Sequence, residues 1–271
     1  MRKLDWKRQA LLRVGLAALT GVALVNVAPA SASSSAIPGT AWTVLQSWPP
    51  SEVGPVYNVS CPTASECVAV SSTDNTTYVL MTTNGGETWT IPVSYADQNT
   101  SNSWSFFSLT SASCPTAADC MVVGYGDRFI QGFGTYPSQV YYDTLIWTTT
   151  DGGATWTDRS FTGDQPPSAP PLLGVSCVTP LDCIGVGASN FIVSAIIATT
   201  DGGATWTTQT MPSSAMSLGG VSCSTPSNCV AVGSASSANG AVDSAIIATS
   251  NGGATWTTQT MSSSAMSLGD S

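Results

Sequence analysis

The chain has 271 residues, eight cysteines and no histidine, and its 16 Asp and Glu outweigh its 7 Lys and Arg to give a formal net charge of −9. That balance excludes nucleic-acid binding by counterion release, which needs a cluster of Lys and Arg, and it disfavours anionic membrane surfaces. Only 8% of residues are charged, and Ser, Thr, Gly and Ala dominate. Such a hydroxyl-rich, weakly charged surface fits a secreted protein.

In chain order, the first segment is basic: Arg2, Lys3, Lys7, Arg8 and Arg13. An apolar run from Val14 to Val27 and the small-residue segment Ala28–Ala32 follow. This is the layout of a secretory signal, so residues 1–32 are expected to be removed after Ala32 and the protein to be extracellular. The run is shorter than the roughly 20 residues of a bilayer span, so no stable membrane span is expected. Arg128 and Arg159 are the only basic side chains after Ala32.

Residues 33–39 read as a linker and 40–271 as one repeated domain. Residues 40–48, with Trp42 and Trp48, resemble the last strand of a repeat unit. Four units then follow, each with two markers in the same order. The first marker is a C-x5-C pair: Cys61/Cys67, Cys114/Cys120, Cys177/Cys183 and Cys223/Cys229. In an exported chain the even count and constant spacing predict a local disulfide within each pair, stabilising by about 2.5 kcal/mol. Zinc is not expected, because the spacing is wrong and histidine is absent. No metal and no cofactor are expected.

The second marker is a Gly-Gly segment ending in tryptophan: 82–89, 149–156, 199–206 and 249–256. Within it stand Asn84 and Trp89, Asp151 and Trp156, Asp201 and Trp206, and Asn251 and Trp256. The Asx-Gly core supplies the positive φ of a tight hairpin turn. The short polar side chain is expected to accept backbone N–H groups across the turn. The tryptophan is expected to lie over the turn and bury it against the next sheet. Asn stands for Asp in two copies, so a structural role is expected rather than a catalytic or metal-binding one.

Between the markers, apolar stretches rich in Ile and Val alternate with turn residues, giving strand, turn, strand, loop, strand, turn, strand. Four antiparallel strands per unit, repeated, predict an all-β fold, a β-propeller of four-stranded antiparallel blades. The predicted blades span about 56–92, 106–160, 172–210 and 218–260. The Ser/Thr-x-Asp/Asn-x-Gly-x-Thr-Trp pattern resembles the Asp-box, or BNR, repeat. That repeat occurs in sialidases, xyloglucan-degrading hydrolases, sortilin-type receptors and propellers similar to photosystem II assembly factors. The resemblance implies a propeller turn with a structural box and carries no functional residue with it. Resembling propellers usually have six or seven blades, so four imply a small ring, an open arc, or a chain that is longer in related proteins. An open arc would expose an apolar flank and sheet edges, and oligomerisation or poor solubility is then expected.

In an up-and-down blade, turns 1–2 and 3–4 share one end, which holds all the disulfides and boxes. Connections 2–3 and those between blades share the other, where the length varies. The longest cysteine-to-tryptophan separation runs through Tyr125–Tyr142, read as a long 2–3 loop. Residues 95–104 and 158–171 are the other irregular connections. Candidate ligand-binding residues here are Tyr125, Asp127, Arg128, Phe129, Tyr136, Tyr141, Tyr142, Asp143 and Arg159. Tyrosines with a few carboxylates and one or two arginines suit sugar rings or peptides, and variable loops on a rigid scaffold are a usual place for binding.

No catalytic residue is assigned. A sialidase needs three arginines for its substrate carboxylate, and only two remain after Ala32. A two-carboxylate glycosidase stays open through Asp127, Asp143, Asp158 and Asp164. The reading favoured is a secreted non-catalytic binding or scaffold module for a glycan or protein ligand. A glycoside hydrolase of the Asp-box propeller type and an envelope repeat protein without a dedicated ligand are the alternatives.

Overall fold

The computed structural model describes residues 53–73, 76–96, 103–130, 139–161, 171–189, 193–212, 215–236 and 242–259. All lie in the compact unit Val44–Ser271. The signal segment, the linker and the strand expected at 40–48 lie outside the described residues.

Every described element is a strand, and the strands form four four-stranded antiparallel sheets. Blade 1 holds β1 (Val56–Ser60), β2 (Cys67–Ser72), β3 (Thr76–Thr82) and β4 (Thr90–Ala96). Blade 2 holds β5 (Ser103–Ser113), β6 (Cys120–Ile130), β7 (Gln139–Thr149) and β8 (Thr157–Asp158). Blade 3 holds β9 (Leu172–Cys177), β10 (Cys183–Ser189), β11 (Val193–Thr199) and β12 (Thr207–Thr208). Blade 4 holds β13 (Ala215–Cys223), β14 (Cys229–Ser236), β15 (Val242–Thr249) and β16 (Thr257–Thr258). In each sheet the strands neighbour one another in chain order, the up-and-down blade of a β-propeller.

The two turns at one end of each blade are built alike. All four disulfides are local, Cys61–Cys67, Cys114–Cys120, Cys177–Cys183 and Cys223–Cys229. Inside each bridge a threonine closes the turn. Thr116 Oγ1 accepts the Asp119 N–H at 3.0 Å and donates to the Asp119 carboxylate at 2.6 Å, and Thr179 and Asp182 do the same. Glu66 and Asn228 take that part opposite Thr63 and Thr225.

The Gly-Gly turn carries a second closure. Thr149 Oγ1 accepts the Gly153 N–H at 2.9 Å and donates to Asp151 Oδ1 at 2.8 Å. The same carboxylate accepts the N–H and hydroxyl of Thr155 at 2.9 and 2.6 Å. Asn84 and Asn251 reproduce this geometry, their Nδ2 donating to Thr88 and Thr255 instead. Both box glycines have positive φ, 68° and 83° at Gly152 and Gly153. The positive φ requires glycine at Gly153, where the Met81 side chain of blade 1 packs close against the turn. The first glycine of each box also donates its N–H to a carbonyl of the disulfide turn, as Gly152 does to Ala118 at 2.9 Å. The two turns are thereby tied into one end plate.

Consecutive blades bury apolar faces against each other. Val68, Val70 and Val79 of blade 1 meet Leu109, Val122 and Trp147 of blade 2. Met121, Val123 and Ile146 of blade 2 meet Leu172, Val175 and Ile197 of blade 3. Ile184, Val186 and Ile196 of blade 3 meet Leu218, Ala231 and Ile247 of blade 4. Hydrogen bonds between first strands reinforce each joint. Ser60 Oγ accepts the Cys114 N–H, Ser113 Oγ accepts that of Cys177, and Ser176 Oγ accepts that of Cys223, all at 2.9–3.0 Å.

Two expectations are corrected. Trp156, Trp206 and Trp256 pack at the joint with the preceding blade, not the next one. The box turn leads into an edge strand of the sheet, and the indole turns back over the preceding blade. Their indole N–H groups are buried with no hydrogen-bond partner among the described residues, so these rings contribute packing. The segment 125–142, read as a loop, is largely strand: Tyr125–Ile130 continues β6 and Gln139–Tyr142 belongs to β7. The register runs unbroken to Ile130↔Gln139, because β-branched and aromatic residues there prolong the ladder.

Candidate binding surface on blade 2

Blade 2 departs from the repeat by lengthening its strands. β6 and β7 have 11 residues each, against 7 in β10 and β11. The added rungs lie at the end opposite the disulfide and box, so the hairpin projects beyond the repeating frame. A bulge between Leu109 and Ser111, where a Cβ on Gly124 would run into the Ser108 carbonyl, lies inside the repeating frame and has counterparts at Gly187 of blade 3 and Gly233 of blade 4.

The register pairs Tyr125 with Thr144, Asp127 with Tyr142 and Gly126 with Asp143. Side chains alternate across a strand. Tyr125, Asp127 and Tyr142 therefore share the face that carries Met121, Val123 and Ile146 toward blade 3. Asp143 shares the other face with Leu145 and Trp147, toward blade 1, and is buried. Tyr125, Asp127 and Tyr142 are half-buried.

Burial raises the Asp127 pKa above the ordinary carboxylate value, and the negative charge of Asp143 raises it further. Tyr125 is pushed up as well, first by burial, then by Asp127, then by Tyr57 of blade 1. Asp127 Oδ1 is buried and has no hydrogen-bond partner among the described residues. A buried acceptor without a donor is rare in a folded protein. Here it stands beside two tyrosines at the mouth of the extended hairpin.

The other expected residues divide. Arg128, Phe129 and Tyr141 lie on the same extension, at the rungs Arg128↔Tyr141 and Phe129↔Val140. Tyr136 is outside the described residues, as are Phe133, Asp97 and Asp164. Arg159 does not join the cluster. It follows β8 and lines a cleft of about 170 Å³ between blades 2 and 3 at the disulfide-and-box end, with Asp119, Leu181 and Asp201. Asp158 is structural, its carboxylate accepting the Ser160 N–H at 2.8 Å. Tyr95 packs edge-on against Phe107 and Trp147, with ring centroids 5.1 and 6.0 Å away, and so belongs to the joint between blades 1 and 2.

The cleft that holds Arg159 is a product of the repeat. Smaller versions recur between blades 3 and 4, beside Asp182 and Gly252, and between blades 1 and 2, beside Glu66 and Gly152. Among the described residues no group of three or more His, Cys, Asp or Glu is placed to hold a metal ion. No helix there is long and apolar enough to cross a membrane.

No known protein family matches the chain, and no curated protein does. Solved structures give distant likenesses. One is YCF48 bound to D1 peptide, at 14% identity and a TM-score of 0.37, covering 75% of this chain and 81% of that one. Another is a GH74 xyloglucanase from Xanthomonas campestris, at 12% identity and a TM-score of 0.35, covering 75% of this chain and 38% of that one.

Proposed function

We propose that the protein is a secreted, non-catalytic propeller that binds a glycan or protein ligand through the extended β6–β7 hairpin of blade 2. The observation that carries this is Asp127, a half-buried carboxylate with one oxygen unpartnered among the described residues, flanked on its own face by Tyr125 and Tyr142. The carboxylate accepts a ligand O–H or N–H, and the tyrosine rings stack on a sugar or an extended peptide. Four local disulfides support an oxidising compartment, in keeping with a signal at residues 1–32. The four boxes are of the Asp-box type in this reading, with Thr149, Asp151 and Thr155 as the pattern's structural members.

The test is a glycan array and a peptide-library pull-down with the wild type, Tyr125→Ala and Asp127→Ala. Losing a hydrogen bond to a charged group costs roughly 1.5–3 kcal/mol, so Asp127→Ala is expected to weaken a retained ligand by about tenfold or more. A ligand held equally well by both variants places binding elsewhere. No retained ligand in either library returns the protein to a repeat without a dedicated partner.

One observation favours a hydrolase, the effect of Asp143 on the Asp127 carboxyl, since a glycosidase keeps one carboxyl protonated beside another. The register speaks against it, because the two carboxylates project to opposite faces and Asp143 is buried. Polysaccharide hydrolysis by the wild type that vanishes in Asp127→Asn and in Asp143→Asn would establish the enzyme.

A further inference from the structure

Each joint between blades leaves a cleft at the disulfide-and-box end, and two positions of the repeat govern its size. One position precedes the box threonine; the other lies three residues after the box tryptophan. At the joint of blades 1 and 2 the first position is Met81, whose sulfur and methyl group pack against Gly153, and the cleft is about 20 Å³. At the joint of blades 3 and 4 the second position is Gln209, which packs against Gly253, and the cleft is about 50 Å³. At the joint of blades 2 and 3 these positions hold Thr148 and Arg159. The atoms nearest Gly203 there belong to Met121 and Trp206, and the cleft is about 170 Å³.

Two side chains that break the repeat meet in this cleft. Arg159 stands where the other blades have Pro92, Gln209 and Gln259, and Leu181 where they have Ser65, Ala118 and Ser227. Leu181 is 55% exposed. The Arg159 guanidinium makes no hydrogen bond or ion pair among the described residues. Asp119 and Asp201 line the cleft as well. Asp201 spends both oxygens on Thr199 and Thr205. Asp119 accepts the Thr116 hydroxyl on Oδ2, and its Oδ1 has no donor among the described residues. The connection that follows Arg159 leads away from the cleft. Its described ends, Phe161 and Pro171, are bonded to Thr144 and Ala188, toward the opposite end of the blades.

We propose that this cleft binds a free α-carboxylate on a residue with an apolar side chain, as in a free amino acid or the last residue of a peptide. Arg159 pairs with the carboxylate, a charge-assisted contact. The adjacent ammonium or amide N–H donates to Asp119 Oδ1, and the side chain lies against Leu181, Pro115 and Pro180. The two acidic residues repel an anion that brings no such donor, which selects a residue over a plain carboxylic acid. The volume fits one residue, since pockets for drug-sized ligands run to roughly 300 Å³ or more. This site is separate from the hairpin of blade 2 and lies at the other end of that blade.

Ligand-observed NMR on the full secreted chain tests it with four probes: leucine, a short peptide ending in leucine, the same peptide amidated at its C-terminus, and leucinamide. The sister blades supply the variants, Arg159→Gln after Gln209 and Leu181→Ser after Ser227, so both are expected to fold, as near-ultraviolet circular dichroism checks. The expected result is that leucine or the free-acid peptide binds the wild type and Asp127→Ala alike, while the two amides do not. Arg159→Gln should weaken that binding by about tenfold or more, and Leu181→Ser by less. Binding of leucine alone, or of the peptide alone, supports the site and assigns the source of the carboxylate. A wild type that binds neither free acid would overturn the proposal, as would amides that bind equally well or an affinity untouched by Arg159→Gln. Binding lost in Asp127→Ala would also overturn it, because the probe would then sit at the hairpin.

Discussion

The two ends of blade 2 obey different rules. At one end stand a disulfide turn and a box turn that recur in every blade, with the same threonine closures and the same tie from the first box glycine to the disulfide turn. At the other end blade 2 has strands of 11 residues and a buried carboxylate oxygen without a donor among the described residues. The Thr and Asx side chains that close the box turn spend their hydrogen bonds within it, which leaves them little with which to hold a ligand. The opposite end holds a carboxylate oxygen with no hydrogen-bond partner among the described residues. Repetition marks what stabilises, and the break in repetition marks where recognition is expected.

Substitutions should separate the ends. The largest effect is expected from the disulfide turn: Cys114→Ser with Cys120→Ser should lower stability by about 2–4 kcal/mol in chemical denaturation. Next is the box. Thr149→Val leaves the buried Gly153 N–H without an acceptor and should cost about 1–3 kcal/mol by the same measurement. Neither change should alter a ligand retained through the far hairpin.

The joints give a sharper contrast. Ser113→Ala removes the acceptor for the Cys177 N–H and should cost about 1 kcal/mol, whereas Ser222→Ala, at an exposed hydroxyl, should cost nothing measurable. Equal losses at both would mean that Ser222 already has a partner.

Acid separates the ends in opposite directions. Hydrogen bonds from Thr155, then Thr149, hold Asp151 down at about 2, and Asp201 is held at about 2 by Thr205 and Thr199. A carboxylate with a lowered folded pKa contributes stability above its ordinary value, and that contribution is lost as pH falls toward the folded value. Blades 2 and 3 should therefore loosen between about pH 4 and pH 2. Asp151→Asn with Asp201→Asn should flatten that part of the stability profile and change little at neutral pH, since Asn84 and Asn251 already make the same turn. Asp127 is the reverse case. Its folded pKa is raised, so the charged form destabilises at neutral pH and the penalty fades as pH falls through the folded value. Asp127→Asn should raise the melting temperature slightly at pH 7, with the gain disappearing in acid.

Much of this fold can be read from residue order because each blade is closed by short-range chemistry. Cys114 and Cys120 are six apart, and Thr149, Asp151 and Gly153 lie within one turn, so spacing alone defines their contacts. The direction in which Trp156 packs is not legible, because it depends on how whole blades stack and not on spacing within the turn. Nor is the continuation of β6 through Asp127, since Gly124 and Gly126 break the apolar alternation that marks a strand. The site was half legible: unusual chemistry singled out Tyr125, Asp127 and Asp143, but only the register separates Asp127 from Asp143 by face. Arg159 was grouped with them by chain proximity to a variable segment, and the fold carries it to the opposite end.

The claim under all of this is that every repeat closes upon itself at one shared end. Peptic peptide mapping of the unreduced secreted protein by mass spectrometry tests it most directly. The account predicts four bridges, each within its own C-x5-C segment, and no free thiol; a bridge joining cysteines of two different blades would contradict it.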